Sequence, residues 1–111
     1  MQRYGSIIGV RKSKICAYKK LHAAVWPDVE KMIRKCHIRN YSIYLHKVAG
    51  RHYLFSYFEY TGKDFDGDMA RMAADPVTQE WWRHCKPCQV PLPDRNKGEW
   101  WTSMEEVFHQ D

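Results

Sequence analysis

The stretches IRNYSIYLH (Ile38–His46) and HYLFSYFEY (His52–Tyr60) are rich in β-branched and aromatic residues and are joined by KVAGR (Lys47–Arg51). Two such runs around a short glycine-bearing connection predict an antiparallel hairpin. Side chains alternate across a strand, so Tyr53, Phe55 and Tyr57 share one face of the second run, while Leu54, Phe58 and Tyr60 mark the other. Neither face is composed for water. Helices can cover one of them. In a chain of 111 residues, the simplest cover for the other is a second copy of the same sheet, so the expectation is a homodimer.

Working outward, Tyr4 to Val10 reads as a first strand, and Ser13 stands as the N-cap of a long helix. The apolar stripe of that helix runs Ile15, Tyr18, His22, Val25, Val29, Met32, Ile33 and Cys36. Pro27 interrupts it, because proline removes a backbone donor and clashes one turn back, so two joined helical pieces are expected. After the hairpin, Asp64 to Ala74 reads as a helix with Phe65, Met69 and Met72 inward. Asp75-Pro76 then supplies a cap and a first helical residue for another piece, which turns Val77, Trp81, His84 and Cys85 to one side and stops near Pro87. Pro91, Pro93, Asn96 and Gly98 mark a loop, and Glu99 to His109 reads as a last strand. The order is that of an α+β, ferredoxin-like split βαβ domain occupying residues 1–111.

The composition, 44% hydrophobic and 28% charged, is that of an ordinary globular domain and excludes a disordered tail or a multidomain enzyme. No run approaches the ~20 apolar residues of a membrane span and the first ten residues lack a signal-peptide layout, so a cytoplasmic protein without a membrane partner is expected. The formal charge of +5 suits an anionic partner without requiring one, since Lys19, Lys20, Lys31, Arg34 and Lys35 fall on the outer face of the first helical segment. Of the four cysteines only Cys85 and Cys88 have metal-like spacing; Cys16 and Cys36 lie too far apart, on what reads as one helix, to complete a zinc site. The histidines show no metal-binding spacing, and phosphate-loop, dinucleotide and nucleophile-elbow motifs are absent. The run Arg51–Phe58 meets half of an RNA-binding strand signature but misses its small and apolar positions, so nucleic acid is not an expected partner.

His22 is the sharpest chemical candidate, because an imidazole titrates near neutrality and can give or take a proton. Alone, a histidine among apolar neighbours reads as a satisfied core residue. Tyr18, one turn earlier on the same stripe, favours a polar pocket, and Tyr41 on the hairpin can bring a second hydroxyl to it. The adjacent Trp81 and Trp82 point about 100° apart on a helix, so one flat contact cannot bury both. An indole face suits the apolar side of a sugar ring or a base, with core or interface packing as the alternative. Trp100-Trp101 repeats the pattern, as an interface or a pocket rim.

Tyr18, HAAVWPD (His22–Asp28), NYSIYL (Asn40–Leu45), Trp81-Trp82 and EEVF (Glu105–Phe108), in this order, resemble the L-rhamnose mutarotase family over nearly the whole chain. The resemblance implies a dimeric α/β barrel with antiparallel sheets packed across the dimer. It further implies an isomerase that interconverts the α and β anomers of a 6-deoxy monosaccharide without metal or organic cofactor. It places the catalytic histidine at His22 and the substrate-binding residues at Tyr18, Tyr41, Trp81 and Trp82. L-Fucose is an alternative sugar, and a non-catalytic carbohydrate- or RNA-binding ferredoxin-like module an alternative role. The loop from Pro87 to Gly98, Trp100, Trp101 and the basic helix surface depart from the family pattern.

Overall fold

The computed structural model describes residues 1–111. Its elements are β1 (Gln2–Val10), α1 (Ile15–Ala23), α2 (Pro27–Lys35), β2 (Ile38–Val48), β3 (Arg51–Tyr60), α3 (Phe65–Ala74), α4 (Pro76–Cys85), β4 (Gln89–Val90) and β5 (Thr102–Met104), with one-turn 3-10 helices at Lys12–Lys14 and Lys86–Cys88. The sheet is antiparallel in the order β2-β3-β1-β4, and β5 also pairs with β1. Because β3 inserts between β1 and β2, this is the split βαβ order that the sequence predicts. The fourth strand position is shared by two short pieces.

Local chemistry explains most of the boundaries. Pro27 opens α2, with Asp28 and Glu30 in the first turn where the helix dipole favours negative charge. The Asp64 side chain accepts from the Gly67 N–H, and Asp75 from the Thr78 N–H, capping α3 and α4. Ala49 and Gly50, at φ 50° and 82°, close the β2–β3 hairpin as a two-residue turn whose left-handed backbone matches the twist of the strands.

Several expectations need correction. Ser13 caps nothing: Lys12–Lys14 winds into a 3-10 turn and α1 begins at Ile15, without a side-chain cap. Cys16 and Cys36 lie on different elements, because the chain breaks at Ala24–Trp26; Cys16 is exposed and Cys36 is buried at the end of α2. His84 is exposed instead of turned inward. The last strand is only Thr102–Met104, paired with Gly5–Ile7, whereas Gln89–Val90, in the stretch that reads as a loop, forms a strand against Gly9–Val10. Gly9 permits that approach, since a Cβ there would sit 2.8 Å from the Val90 carbonyl oxygen.

All the helices pack on one sheet face. Ile8, Val10, Leu54, Tyr18, Val29, Trp81, Cys85 and Cys88 form the main core, and Cys36, Ile38 and Met72 a smaller one. On the opposite face the registers align Tyr44, Phe55, Ile7 and Thr102 in one cross-strand row, and Ser42, Tyr57, Gly5 and Met104 in the next. Tyr44 there is 64% exposed.

A polar knot ties the hairpin to α3. Asp68, only 3% exposed, accepts hydrogen bonds from the Tyr60 hydroxyl at 2.5 Å and from Arg71, and meets His37 Nδ1 at 2.9 Å. His37 holds φ 67°, the left-handed conformation in which α2 ends before β2 starts.

Candidate active site

A cavity of about 230 Å³ lies between α1 and the sheet, walled by Val10, Ile15, Ile43, Leu45 and Leu54. Its polar groups are Tyr18, His22 and, at the edge, Lys19. That is below the roughly 300–1,000 Å³ of sites for drug-sized ligands and on the scale of one small ring.

Tyr18 and His22 are one turn apart on α1 and their rings stack with centroids 4.1 Å apart. His22 Nδ1 lies 3.0 Å from the Tyr18 carbonyl oxygen, an acceptor only, so Nδ1 carries a proton and donates it there. The neutral ring therefore keeps its lone pair on Nε2. Burial pushes the His22 pKa below its ordinary value, opposed in part by that backbone hydrogen bond. At neutral pH His22 rests as an uncharged base.

Tyr18 is 5% exposed, and burial pushes its hydroxyl well above the usual tyrosine range, against a smaller opposite effect of a hydrogen bond from Gln89. Trp81, 6% exposed, lies edge-on beneath His22 at 5.3 Å and against Trp26 at 5.2 Å. It thus supports the imidazole from below and presents no open face. Trp82 is half-buried between the two cores, with the Lys86 ammonium 5.8 Å above its ring.

Tyr41 shares the helix-side face of β2 with Ile43 and Leu45 by ordinary alternation, and a bulge adjoins it. Between the pairs Arg39–Glu59 and Ser42–Tyr57, the two residues Asn40 and Tyr41 oppose only Phe58, and Asn40 takes φ 49°. The extra residue lets Ile38 face the helices on the same side as Tyr41, which packs against Phe58 with centroids 5.5 Å apart. Its hydroxyl is the desolvated end: burial pushes it up to about 12, with the Cys85 thiol contributing, while 43% of the residue stays exposed. Tyr41 is beside the cavity wall rather than part of it. The structure thus brings Tyr18, His22 and Trp81 into contact and sets Tyr41 and Trp82 around them.

Gln89 is a participant that the sequence does not announce. Buried on β4, it donates from Nε2 to the Tyr18 hydroxyl at 3.3 Å and accepts from Trp100 Nε1 at 2.7 Å. An isolated glutamine in a proline-marked stretch carries no motif, and only its place beside a strand reveals it.

The L-rhamnose mutarotase family profile matches residues 3–110 of the chain. L-rhamnose mutarotases of Oceanobacillus iheyensis and Bacillus subtilis are 32% and 30% identical over 111 residues, covering each chain completely. The chain belongs to the L-rhamnose mutarotase family. A crystal structure of the L-rhamnose mutarotase from Formosa agariphila superposes with a TM-score of 0.75 at 20% identity, covering both chains fully. The tetracenomycin F2 cyclase of Streptomyces glaucescens, a polyketide cyclase, gives 0.69 at 12% identity over 100% of this chain and 98% of that one. The mutarotase fold is therefore shared with a protein of unrelated chemistry, and the reaction has to be read from the site.

Proposed function

We propose that the protein interconverts the α and β anomers of L-rhamnose by opening and reclosing the pyranose ring. The observation that carries this reading is the fixed tautomer of His22, with a basic Nε2 stacked on a tyrosine in a monosaccharide-sized cavity. Ring opening requires one proton to leave the anomeric hydroxyl and another to reach the ring oxygen. His22 moves one of them through Nε2. The Tyr18 hydroxyl, which burial keeps protonated, faces the other, and the two exchange roles when the ring closes on its opposite face. Trp81, with no open face, serves by backing the His22 imidazole, while Tyr41 and Trp82 flank the cavity as the outer substrate contacts. The apolar wall of Ile43, Leu45 and Leu54 suits a 6-deoxy sugar, whose C6 is a methyl group. Saturation-transfer NMR of anomer exchange in L-rhamnose and L-fucose tests the proposal: acceleration of L-rhamnose exchange is the expected result, and no acceleration of either sugar refutes it.

The pH profile is a separate check on His22. Since burial depresses its pKa, the neutral base persists below the ordinary histidine value of about 6.5 and is lost only as pH falls through the lowered value. The exchange rate should therefore hold from pH 7.5 to pH 6.5 and decline below that. A decline centred above 6.5 would contradict the assignment.

The aromatic sheet face supports a homodimer as the working form. Tyr44, Phe55 and Ile7 form a continuous apolar row that no helix of the chain covers, and self-complementary pairing of two such faces follows two-fold symmetry. Sedimentation analysis should give twice the chain mass for the wild type, and Tyr44→Lys should shift the population toward monomer. A monomeric wild type at micromolar concentration would exclude this assembly.

A further inference from the structure

Gln89 lies between two groups of known hydrogen-bonding sense. An indole N–H only donates, so the atom 2.7 Å from Trp100 Nε1 must be the Gln89 carbonyl oxygen, and the amide NH2 must face Tyr18. The Tyr18 hydroxyl therefore accepts from Gln89 and makes no other hydrogen bond within the protein. Its own proton has no acceptor within the protein, and Tyr18 is one of the residues that line the cavity.

Both ends of this chain of hydrogen bonds are held. Gln89 pairs with Val10 through the β4 backbone, and the preceding turn is fastened by Arg11, whose N–H bonds the Cys88 carbonyl at 2.8 Å and whose Nε bonds the Pro87 carbonyl at 3.2 Å. The Lys86 ammonium sits 5.5 Å from the Trp100 ring centroid and 5.8 Å from that of Trp82. Gln89 itself is 5% exposed, so the amide is a buried polar group whose hydrogen bonds are costly to leave unmade.

We infer that Gln89 is a positioning residue for catalysis: clamped by Trp100, its amide holds the Tyr18 oxygen as acceptor and turns the phenolic proton toward the sugar. Donation to that oxygen also stabilises the phenolate that forms when the proton is given, which makes Tyr18 a better acid than its burial alone would allow. The inference rests on Tyr18 serving the reaction as proposed above.

Three variants separate the outcomes, each read as kcat and KM for L-rhamnose anomer exchange. Gln89→Met keeps the volume and removes the donor, and it should lower kcat about tenfold, the order of one lost neutral hydrogen bond, with little change in KM. In Gln89→Glu a carboxylate accepts from Tyr18 and reverses the bond, whereas the protonated acid can donate again. The activity of this variant relative to wild type should therefore rise as pH is lowered, a trend that a merely structural role would not produce. The Tyr18→Phe, Gln89→Met double variant should be no slower than Tyr18→Phe alone. Unchanged activity in Tyr18→Phe would overturn the site reading itself. A slowed Tyr18→Phe with an independent, multiplicative effect of Gln89→Met, or with no effect of it, would overturn the role of Gln89 only.

Discussion

His22→Ala should slow anomer exchange by roughly 10² to 10⁴-fold, the range of a positioned acid–base group, and leave the protein folded. The imidazole makes one hydrogen bond, to a carbonyl of its own helix, so truncation strands no distant partner. The lost contacts are the stack on Tyr18 and the edge contact with Trp81, both of which remain supported by the main core. Saturation-transfer exchange and a far-UV circular dichroism melt on one sample suffice to check this. A melting temperature near that of wild type with exchange reduced to the buffer rate is the expected pair. Retained exchange would remove His22 from the mechanism, and a collapsed melt would require His22→Gln, which preserves most of the volume, to carry the same comparison.

Asp68→Ala should have the largest effect on stability, lowering Tm by roughly 10 °C or more. Its carboxylate is the shared acceptor of Tyr60, Arg71 and His37, and its removal leaves the buried Tyr60 hydroxyl without that partner. The same group gives a pH dependence of known sign. Hydrogen bonds from Tyr60, then from His37, hold the Asp68 carboxyl below its ordinary value. Stability from a depressed carboxyl is complete above the unfolded pKa of about 3.9 and is lost as pH falls through the lower folded value. Wild type should thus lose urea resistance between pH 5 and pH 2, and Asp68→Asn, with no proton to take up there, should lose less across that interval. Equal losses in the two proteins would dissociate Asp68 from the acid transition.

The features legible in the sequence are those fixed by neighbouring residues. Pro27 had to restart a helix, Asp75-Pro76 had to open one, and the alternation in His52–Tyr60 had to give two apolar faces, since each depends on the chemistry of a few adjacent positions. Tyr18 and His22 are legible together for the same reason: four residues apart on a helix means in contact. The features that stay hidden depend on distant partners. Gln89–Val90 and Thr102–Met104 have no strong strand pattern and extend only because β1 offers them an edge and Gly9 offers room. Ala49 occupies a left-handed position where glycine or asparagine is usual, because the pairing of Val48 with Arg51 leaves only two residues for the turn. Tyr41 is legible by its alternation with Ile43 and Leu45, whereas Ile38, three residues earlier, faces the helices as well only through the bulge at Asn40, a register shift that no periodicity foretells. The contribution of Gln89 is hidden for a related reason: its two partners, Tyr18 and Trp100, are brought together by the sheet.

The position of β1 also governs when the protein can take shape as it is made. This strand leaves the ribosome ahead of every partner: Gln2 pairs with Tyr60, Gly9 with Val90 and Gly5 with Met104. Until β3 emerges, both of its edges are open, and until β5 emerges one remains so, with Ile7, Ile8 and Val10 unshielded. Pairings over such sequence separations form late, because the closure entropy of the long loop is lost before any contact rewards it. A stalled nascent chain that ends in α4 therefore carries the β4 and β5 edge of its central strand exposed to any other chain nearby, the kind of edge that invites aggregation. The central strand is synthesised before every strand it pairs with and is the last to be fully enclosed, which makes completion of the sheet a late event in folding.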